Sequence, residues 1–360
     1  MNFNDNKKYL YNISSNKEYL NSIHVLRGIA ALLVVCEHIV GRSPYSTFNQ
    51  YFGWLNNLGH YGVVAFFVIS GFLLPFSLGE DYNLNKYGRF MLRRVVRIEP
   101  TYLGSIALSC VVIFVITRIA PNAEPWMPSV KQILSNIFYL VPFTNDTWIL
   151  GVYWTLAIEF QFYVIIGLLH PGFRRLSQQS TLNISFISIL FSLLVFASPW
   201  CEPLQLIKYS PYFALGILLA MQFRYKLPYP NLVLTLIAIT IPAILSGLAL
   251  SEWLIGLVTF FIILYWKPPS LSDSLLGRAL LFGGTISYSW YVTHQLLASV
   301  GESVAKFISS QSSLPLRDIL VNLVPVGVFV FSIIFAWLLY ILIEKPTHKL
   351  ARRIRYKASS

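Results

Sequence analysis

Residues 22–42 read SIHVLRGIAALLVVCEHIVGR, an apolar run with Arg27 near one end and His38 near the other. Eleven positions separate those two residues. On a straight α-helix, at ~100° per residue, that is three turns plus roughly 20°, so both side chains leave one face about 16 Å apart along the axis. The run is long enough to cross a hydrocarbon core of ~30 Å as a helix. Ionisable groups inside such a segment are costly to bury, and they mark function rather than anchorage.

The rest of the chain repeats the first part of that pattern. Of 360 residues, 56% are hydrophobic and only 12% charged, the profile of a polytopic membrane protein. The apolar runs lack a period of two, which excludes a transmembrane β-barrel. Hydropathy predicts ten spans, at about residues 22–41, 60–79, 101–120, 151–169, 182–198, 204–223, 231–248, 251–267, 281–299 and 320–343. With both termini cytoplasmic, 20 Lys and Arg fall on the inner side and 6 on the outer, the distribution that the positive-inside rule demands. That asymmetry accounts for the net charge of +12, so nucleic acid is not an expected partner. The expected class is therefore an all-α polytopic membrane protein with about ten transmembrane helices. Its organisation is a cytoplasmic tail at 1–21, one membrane domain at 22–345 and a basic cytoplasmic tail at 346–360.

Lys7, Lys8 and Lys17 precede the first run and give it a superficial likeness to a signal peptide. The run is too long for one, carries Arg27 and lacks a small-residue cleavage site, so it reads as an uncleaved first span. Cys36, Cys110 and Cys201 are odd in number and have no metal-ligand spacing, so neither a disulfide framework nor a metal site is expected. The longest external loop, 121–150, contains Trp126, Trp148 and an amphipathic piece around 130–141 of the kind that lies on a bilayer surface.

Six histidines are present, and His24, His60, His170 and His348 fall at span ends or in a tail, where interfacial solvation suffices. His38 and His294 lie well inside their spans, roughly 20 to 24 Å from the cytoplasmic side. Glu159 enters from outside, ~12 Å below the outer surface. These three come to nearly one level in the outer half of the core, where two imidazoles and a carboxylate can form one polar cluster. Glu37 points ~100° away from His38 and reads as a satisfied or cavity-facing carboxylate. On the cytoplasmic side, residues 86–97 read KYGRFMLRRVVR. That charge orients the following span, and Arg94 and Arg97, three apart, form a fork suited to phosphate.

These residues carry a family resemblance. Arg27, ten residues and His38, within LRGIAALLVVCEH, resemble the opening span of the acyltransferase family 3 membrane proteins. The likeness continues in order through GHYGVVAFFVISGFLL (59–74), RRVVRIEPTY (93–102), WTLAIEFQFY (154–163), SYSWYVTH (287–294) and IEKP (343–346). It implies a bacterial inner-membrane enzyme that moves an acyl group, commonly acetyl, from cytoplasmic acyl-CoA to a hydroxyl of an extracytoplasmic or lipid-linked glycan. Acceptors in the family include lipopolysaccharide O-antigen, exopolysaccharide, peptidoglycan, Nod factors and macrolides. Arg94 and Arg97 take the family's Arg-x-x-Arg position and Glu159 its carboxylate position. Glu99 departs from the pattern, standing where an aromatic or apolar residue is expected. No esterase-like domain follows the last span, which is the arrangement of a stand-alone member.

The expected chemistry follows. A sugar hydroxyl is a poor nucleophile, so acyl transfer needs a base, and His38 is the candidate. Glu159 or His294 is expected to fix its tautomer and stabilise the imidazolium, and Tyr288 or Ser287 to donate to the oxyanion. Arg94 and Arg97 would hold the CoA phosphates, with Arg89 and Arg93 beside them, and the pantetheine arm would pass Arg27. Gly62, Gly71 and Gly88 are candidate sites of close helix approach. Tyr51, Trp54, Phe48, Trp126 and Trp148 are candidates to stack on sugars or to form an interfacial belt. The competing classes are a secondary transporter, which would show inverted repeats and interrupted helices, and a non-catalytic scaffold.

Overall fold

A computed structural model describes residues 17–43, 45–79, 81–119, 127–179, 181–200, 203–266, 274–311 and 315–354. Lys7, Lys8, Trp126 and Cys201 lie outside the described residues, as does the side chain of Phe48. Among the described residues there is no strand, as expected of chain that must satisfy its own backbone in lipid.

Helix α1, Lys17–Cys36, runs into a π-turn at Glu37–Gly41. There follow α2 (Phe48–Phe52), α3 (Leu58–Ser77), α4 (Tyr87–Ile119) and the short α5 (Val130–Ile137). After these come α6 (Tyr153–Gln179), α7 (Thr181–Leu193), α8 (Leu206–Tyr225), α9 (Tyr229–Leu245) and α10 (Leu250–Tyr265). The chain continues with α11 (Leu275–Ser310) and α12 (Arg317–Leu339), a second π-turn at Tyr340–Glu344, and α13 (Lys345–Arg353).

Every predicted span falls on helix. Among the described residues, six stretches are long and apolar enough to cross a membrane: Asn21–Gly41, Gln50–Ser77, Leu84–Arg118, Tyr153–Phe173, Leu206–Tyr225 and Arg317–Arg353. Three more apolar helices, Ser185–Pro199, Tyr229–Leu245 and Leu250–Tyr265, are shorter, and the predicted span at 281–299 is part of the 36-residue α11. Apolar side chains such as Phe331, Ile334, Trp337 and Leu338 on α12 are exposed, as they are in a helix that faces lipid. The protein is a polytopic membrane protein. The third span begins earlier than hydropathy predicts, because the basic run 87–97 is itself helical and continues into the apolar part of α4.

The chain folds as two compact units. The first contains the described residues of 1–30, 60–88 and 158–285; the second those of 31–59, 89–157 and 286–360. In the first unit, Phe162 and Phe67 pack on Phe213 with ring centroids 4.4 and 4.9 Å away. Helices α3 and α8 approach closely at Gly71, where a Cβ would lie 2.5 Å from the Phe213 carbonyl oxygen. Gly88, another of the three glycines so read, has nothing within 4 Å and serves no such approach. The carbonyls that α3 leaves unpaired at its end are met by Arg224, which donates to Pro75, Phe76 and Leu78.

In the second unit, Tyr102 of α4 stacks on Tyr139 at 5.0 Å and meets Tyr153 edge-on at 4.9 Å. The Tyr102 hydroxyl donates to the Asn136 carbonyl, and Ser105 donates to the Val292 carbonyl of α11. The amphipathic piece of the long loop forms α5, capped by the Ser129 hydroxyl, which accepts from the Gln132 N–H at 3.1 Å. Its polar face, Gln132, Ser135 and Asn136, is buried against residues 146–149. Val130, Leu134 and Phe138, spaced four apart, are exposed, the arrangement of a helix whose apolar side meets lipid.

Candidate active site

His38 is the second residue of the first π-turn, so the stripe computed for a straight α-helix holds only as far as Cys36. Such turns insert an extra residue and occur frequently at functional sites. Glu37 holds this one in place. It is buried, accepts from the Gly59 N–H at 2.6 Å and pairs with the guanidinium of Arg42, the residue that ends the turn. Glu37 is thus the satisfied carboxylate expected.

The His38 ring lies 5.0 Å from that of His294, centroid to centroid, at 73°. Each imidazole turns Nδ1 to a main-chain carbonyl: His38 to Val34 at 2.9 Å and His294 to Tyr291 at 2.6 Å. A carbonyl oxygen only accepts, so in the neutral ring Nδ1 carries the proton and Nε2 the lone pair. Both rings are therefore set as the tautomer whose outer nitrogen is a base. The tautomer of His38, expected to depend on Glu159 or His294, is fixed by its own helix. His294 is fully buried, and its Nε2 has no hydrogen-bond partner among the described atoms. Tyr291, which shares a short hydrogen bond with Thr155 at 2.7 Å, packs its ring 5.6 Å from His294 and holds that turn of α11 against the start of α6.

His38 lines a cavity of about 130 Å³ with Arg42, Ser43, Gln295 and Glu302, closed on its apolar side by Val324 and Val328. Gln295 is oriented by the Val152 N–H, which donates to its Oε1 at 2.9 Å.

A second cluster in this unit centres on Glu344, at the end of the other π-turn. The buried carboxylate accepts through Oε2 from the N–H and the hydroxyl of Ser289, at 3.2 and 2.5 Å. Its Oε1 lies 3.6 Å from His348 Nε2, and Arg97 Nε donates to that same nitrogen at 3.3 Å. The first distance is too long for a hydrogen bond, so Nε2 is the acceptor for Arg97 and the Glu344 charge lies just behind it. Arg94 lies with its guanidinium carbon 5.5 Å from the centroid of the Phe90 ring. Arg93 is half-buried and Arg89 exposed.

The other expected residues are placed as follows. Glu159 belongs to the first unit, where it accepts from the Ser70 hydroxyl at 2.9 Å, and Arg27, half-buried, belongs there too. The Tyr288 hydroxyl donates to the Ile98 carbonyl at 3.1 Å. Its proton is thus committed about 9 Å along α11 from His294, away from an oxyanion formed at His38. Ser287, one residue earlier, is fully buried. Glu99 accepts from the Tyr139 hydroxyl at 3.2 and 3.3 Å, which gives its departure from the family pattern a local partner. Two of the histidines read as needing only interfacial solvation have protein neighbours: His170 is buried edge-on to Tyr82, and His348 accepts from Arg97. Tyr51 and Trp54 are exposed and Trp148 is half-buried. The sequence alone does not single out Ser289, Gln295, Glu344 and His348, although Gln295 adjoins His294 and Glu344 stands in the IEKP block.

Two imidazoles in edge-on contact, each with Nδ1 on a main-chain carbonyl, beside a small polar cavity are an arrangement that can move a proton. The chain matches the acyltransferase domain family over residues 20–341 and belongs to that family; it is an acyltransferase. It is 27% identical over 348 residues to the putative acetyltransferase ORF330 of Acidianus two-tailed virus, covering 88% of this chain and 97% of the viral one. It is 24% identical to the acyltransferase MdmB of Streptomyces mycarofaciens, over 57% of this chain and 58% of that one. The O-acetyltransferase OatA of Staphylococcus aureus is 30% identical over 48% of this chain and 29% of its own length. No solved structure matches.

Proposed function

We propose that this acyltransferase moves an acyl group, acetyl in the first instance, from cytoplasmic acyl-CoA to a hydroxyl of a glycan or lipid-linked saccharide across a bacterial inner membrane. The topology would be ten spans with both ends cytoplasmic. The observation that carries the chemistry is the His38 ring, which lines a small polar cavity with Nδ1 bound to the Val34 carbonyl. In this reading the acceptor hydroxyl gives its proton to His38 Nε2 as its oxygen attacks the thioester carbonyl. The tetrahedral intermediate expels the CoA thiolate, which takes the proton back from the imidazolium. The unpartnered Nε2 of His294, edge-on to His38, supports a role in stabilising that imidazolium. On the donor side, Arg94 and Arg97 would grip phosphates, with Arg93 and Arg89 adding charge. Arg27 and Glu159 rest on the family resemblance.

Bacterial O-antigen, exopolysaccharide and peptidoglycan are the acceptors to try first; one relative, YrhL of Bacillus subtilis, bears the name putative peptidoglycan O-acetyltransferase. The test is reconstituted protein with labelled acetyl-CoA and a panel of such glycans. Label on a glycan with release of CoA is expected, and His38→Ala should lower the rate by about 10²- to 10⁴-fold. Full acyl transfer by a normally inserted His38→Ala protein refutes the base assignment. Movement of an unmodified solute without CoA release would instead indicate transport.

A further inference from the structure

We infer that Gln295 is the oxyanion donor: its side-chain amide nitrogen, held in the His38 cavity by the Val152 main chain, takes the negative charge that develops on the acyl carbonyl oxygen. This rests on the acyl transfer at His38 proposed above. A main-chain N–H only donates, so the contact with Val152 at 2.9 Å fixes which end of the amide is oxygen. With Oε1 so anchored, the Nε2 end is a pair of N–H donors in a fixed direction. A Cβ at Gly151 would come within 3.1 Å of that nitrogen, so the glycine leaves the amide room to sit there.

Gln295 and His38 line the same cavity of about 130 Å³. A void of ~150 Å³ holds a benzene. A space of this size takes an acetyl group and one attacking hydroxymethyl, and a carbonyl carbon within reach of a hydroxyl on His38 has its oxygen close to any donor in the wall. Of the other donors, the Tyr288 hydroxyl is engaged with Ile98 and the Ser299 hydroxyl with the Gln295 carbonyl, while Ser43 and the Arg42 guanidinium, which pairs with Glu37 through one nitrogen, line the same cavity without a main-chain anchor of the kind Val152 gives Gln295. A donor anchored by the main chain needs no reorganisation as charge appears, which is what makes such groups effective.

The step balances. The hydroxyl oxygen forms the new C–O bond, the carbonyl π pair moves onto oxygen beside the Gln295 N–H, and the proton goes to His38 Nε2. The pair then returns, the C–S bond breaks with its electrons on sulfur, and the imidazolium proton passes to that sulfur.

Gln295→Glu is the discriminating variant, because it keeps an oxygen for the Val152 N–H and replaces the donor with a carboxylate. The expected result is a fall in kcat of about 10²- to 10³-fold, with KM for acetyl-CoA and for acceptor within about threefold and thermal unfolding unchanged. A kcat within threefold of the parent, while His38→Ala is inactive, overturns the oxyanion assignment and leaves acyl transfer standing. Activity retained in His38→Ala as well places the failure in the underlying reading. A raised acceptor KM at constant kcat also overturns it, making Gln295 an acceptor-binding group. A measurement on the parent protein does not depend on any variant folding. The carbonyl stretch of a bound ketone analogue of acetyl-CoA, with CH2 in place of sulfur and ¹³C at the carbonyl, should move to lower frequency than in water. An unshifted band overturns the proposal.

Discussion

Replacement of Glu344 tests whether this carboxylate serves the fold alone or also the proposed donor binding at Arg97. Its Oε2 accepts two hydrogen bonds from Ser289, which is fully buried. In Glu344→Ala the buried Ser289 hydroxyl loses its acceptor, at ~1–3 kcal/mol, whereas the Ser289 N–H, inside α11, keeps the helical carbonyl one turn back. Glu344→Gln keeps an oxygen for Ser289, so its stability should fall by only ~1 kcal/mol. It removes the negative charge behind His348 and Arg97, whose contact at 3.3 Å orients the guanidinium. A loss of ~1–2 kcal/mol in the hold on that group corresponds to a rise in KM for acetyl-CoA of about 5- to 30-fold, at 1.36 kcal/mol per decade. The assay is steady-state kinetics in proteoliposomes, with thermal unfolding of the same samples. A Glu344→Gln protein with unchanged KM, or a Glu344→Ala protein that unfolds at the parent temperature, refutes the reasoning.

Arg94→Ala and Arg97→Ala should each raise KM for acyl-CoA by about 10- to 100-fold with less change in kcat, the loss of one charge-assisted contact, in the same kinetic assay. Gly71→Ala should lower the unfolding temperature, since its Cβ would meet Phe213 and Gly216 backbone that cannot yield, at ~1–3 kcal/mol; Gly88→Ala, with nothing within 4 Å, should leave it unchanged. The Ser135 hydroxyl holds the Asp146 carboxyl below its ordinary range. A carboxyl lowered on folding stabilises fully above its unfolded value of ~3.9 and loses that contribution as pH falls through the folded value, so hydrogen exchange in 130–149 should quicken in that acid window and not between pH ~5 and 8.

Much of the helical framework was legible because lipid leaves few choices. An apolar run of the right length must form helix, so each of the ten predicted spans falls on one, and the Arg27-to-His38 spacing, with the later blocks, pointed to the family that the comparison then showed. His38 and His294 were picked out by the cost of burying an imidazole, from position alone. Their ring contact and common tautomer were not legible, because both depend on which carbonyl each Nδ1 meets. The same holds for Glu344 and His348. Hydropathy ends a span where charge appears, so His348 read as a tail residue, whereas the π-turn at 340–344 carries the helix on and brings the imidazole to Arg97.

The sequence by itself determined the class, because helix formation in lipid depends on local composition, and it determined the family, because motifs are local too. Only the tertiary structure decided which polar groups share a site. Gln295 lines one cavity with His38 and Tyr288 turns to Ile98, although both lie on α11 within seven positions of each other. The physical reason is that a buried donor or acceptor goes to whatever partner the packing of other helices brings within about 3 Å, and that distance is written nowhere in the order of residues along one helix.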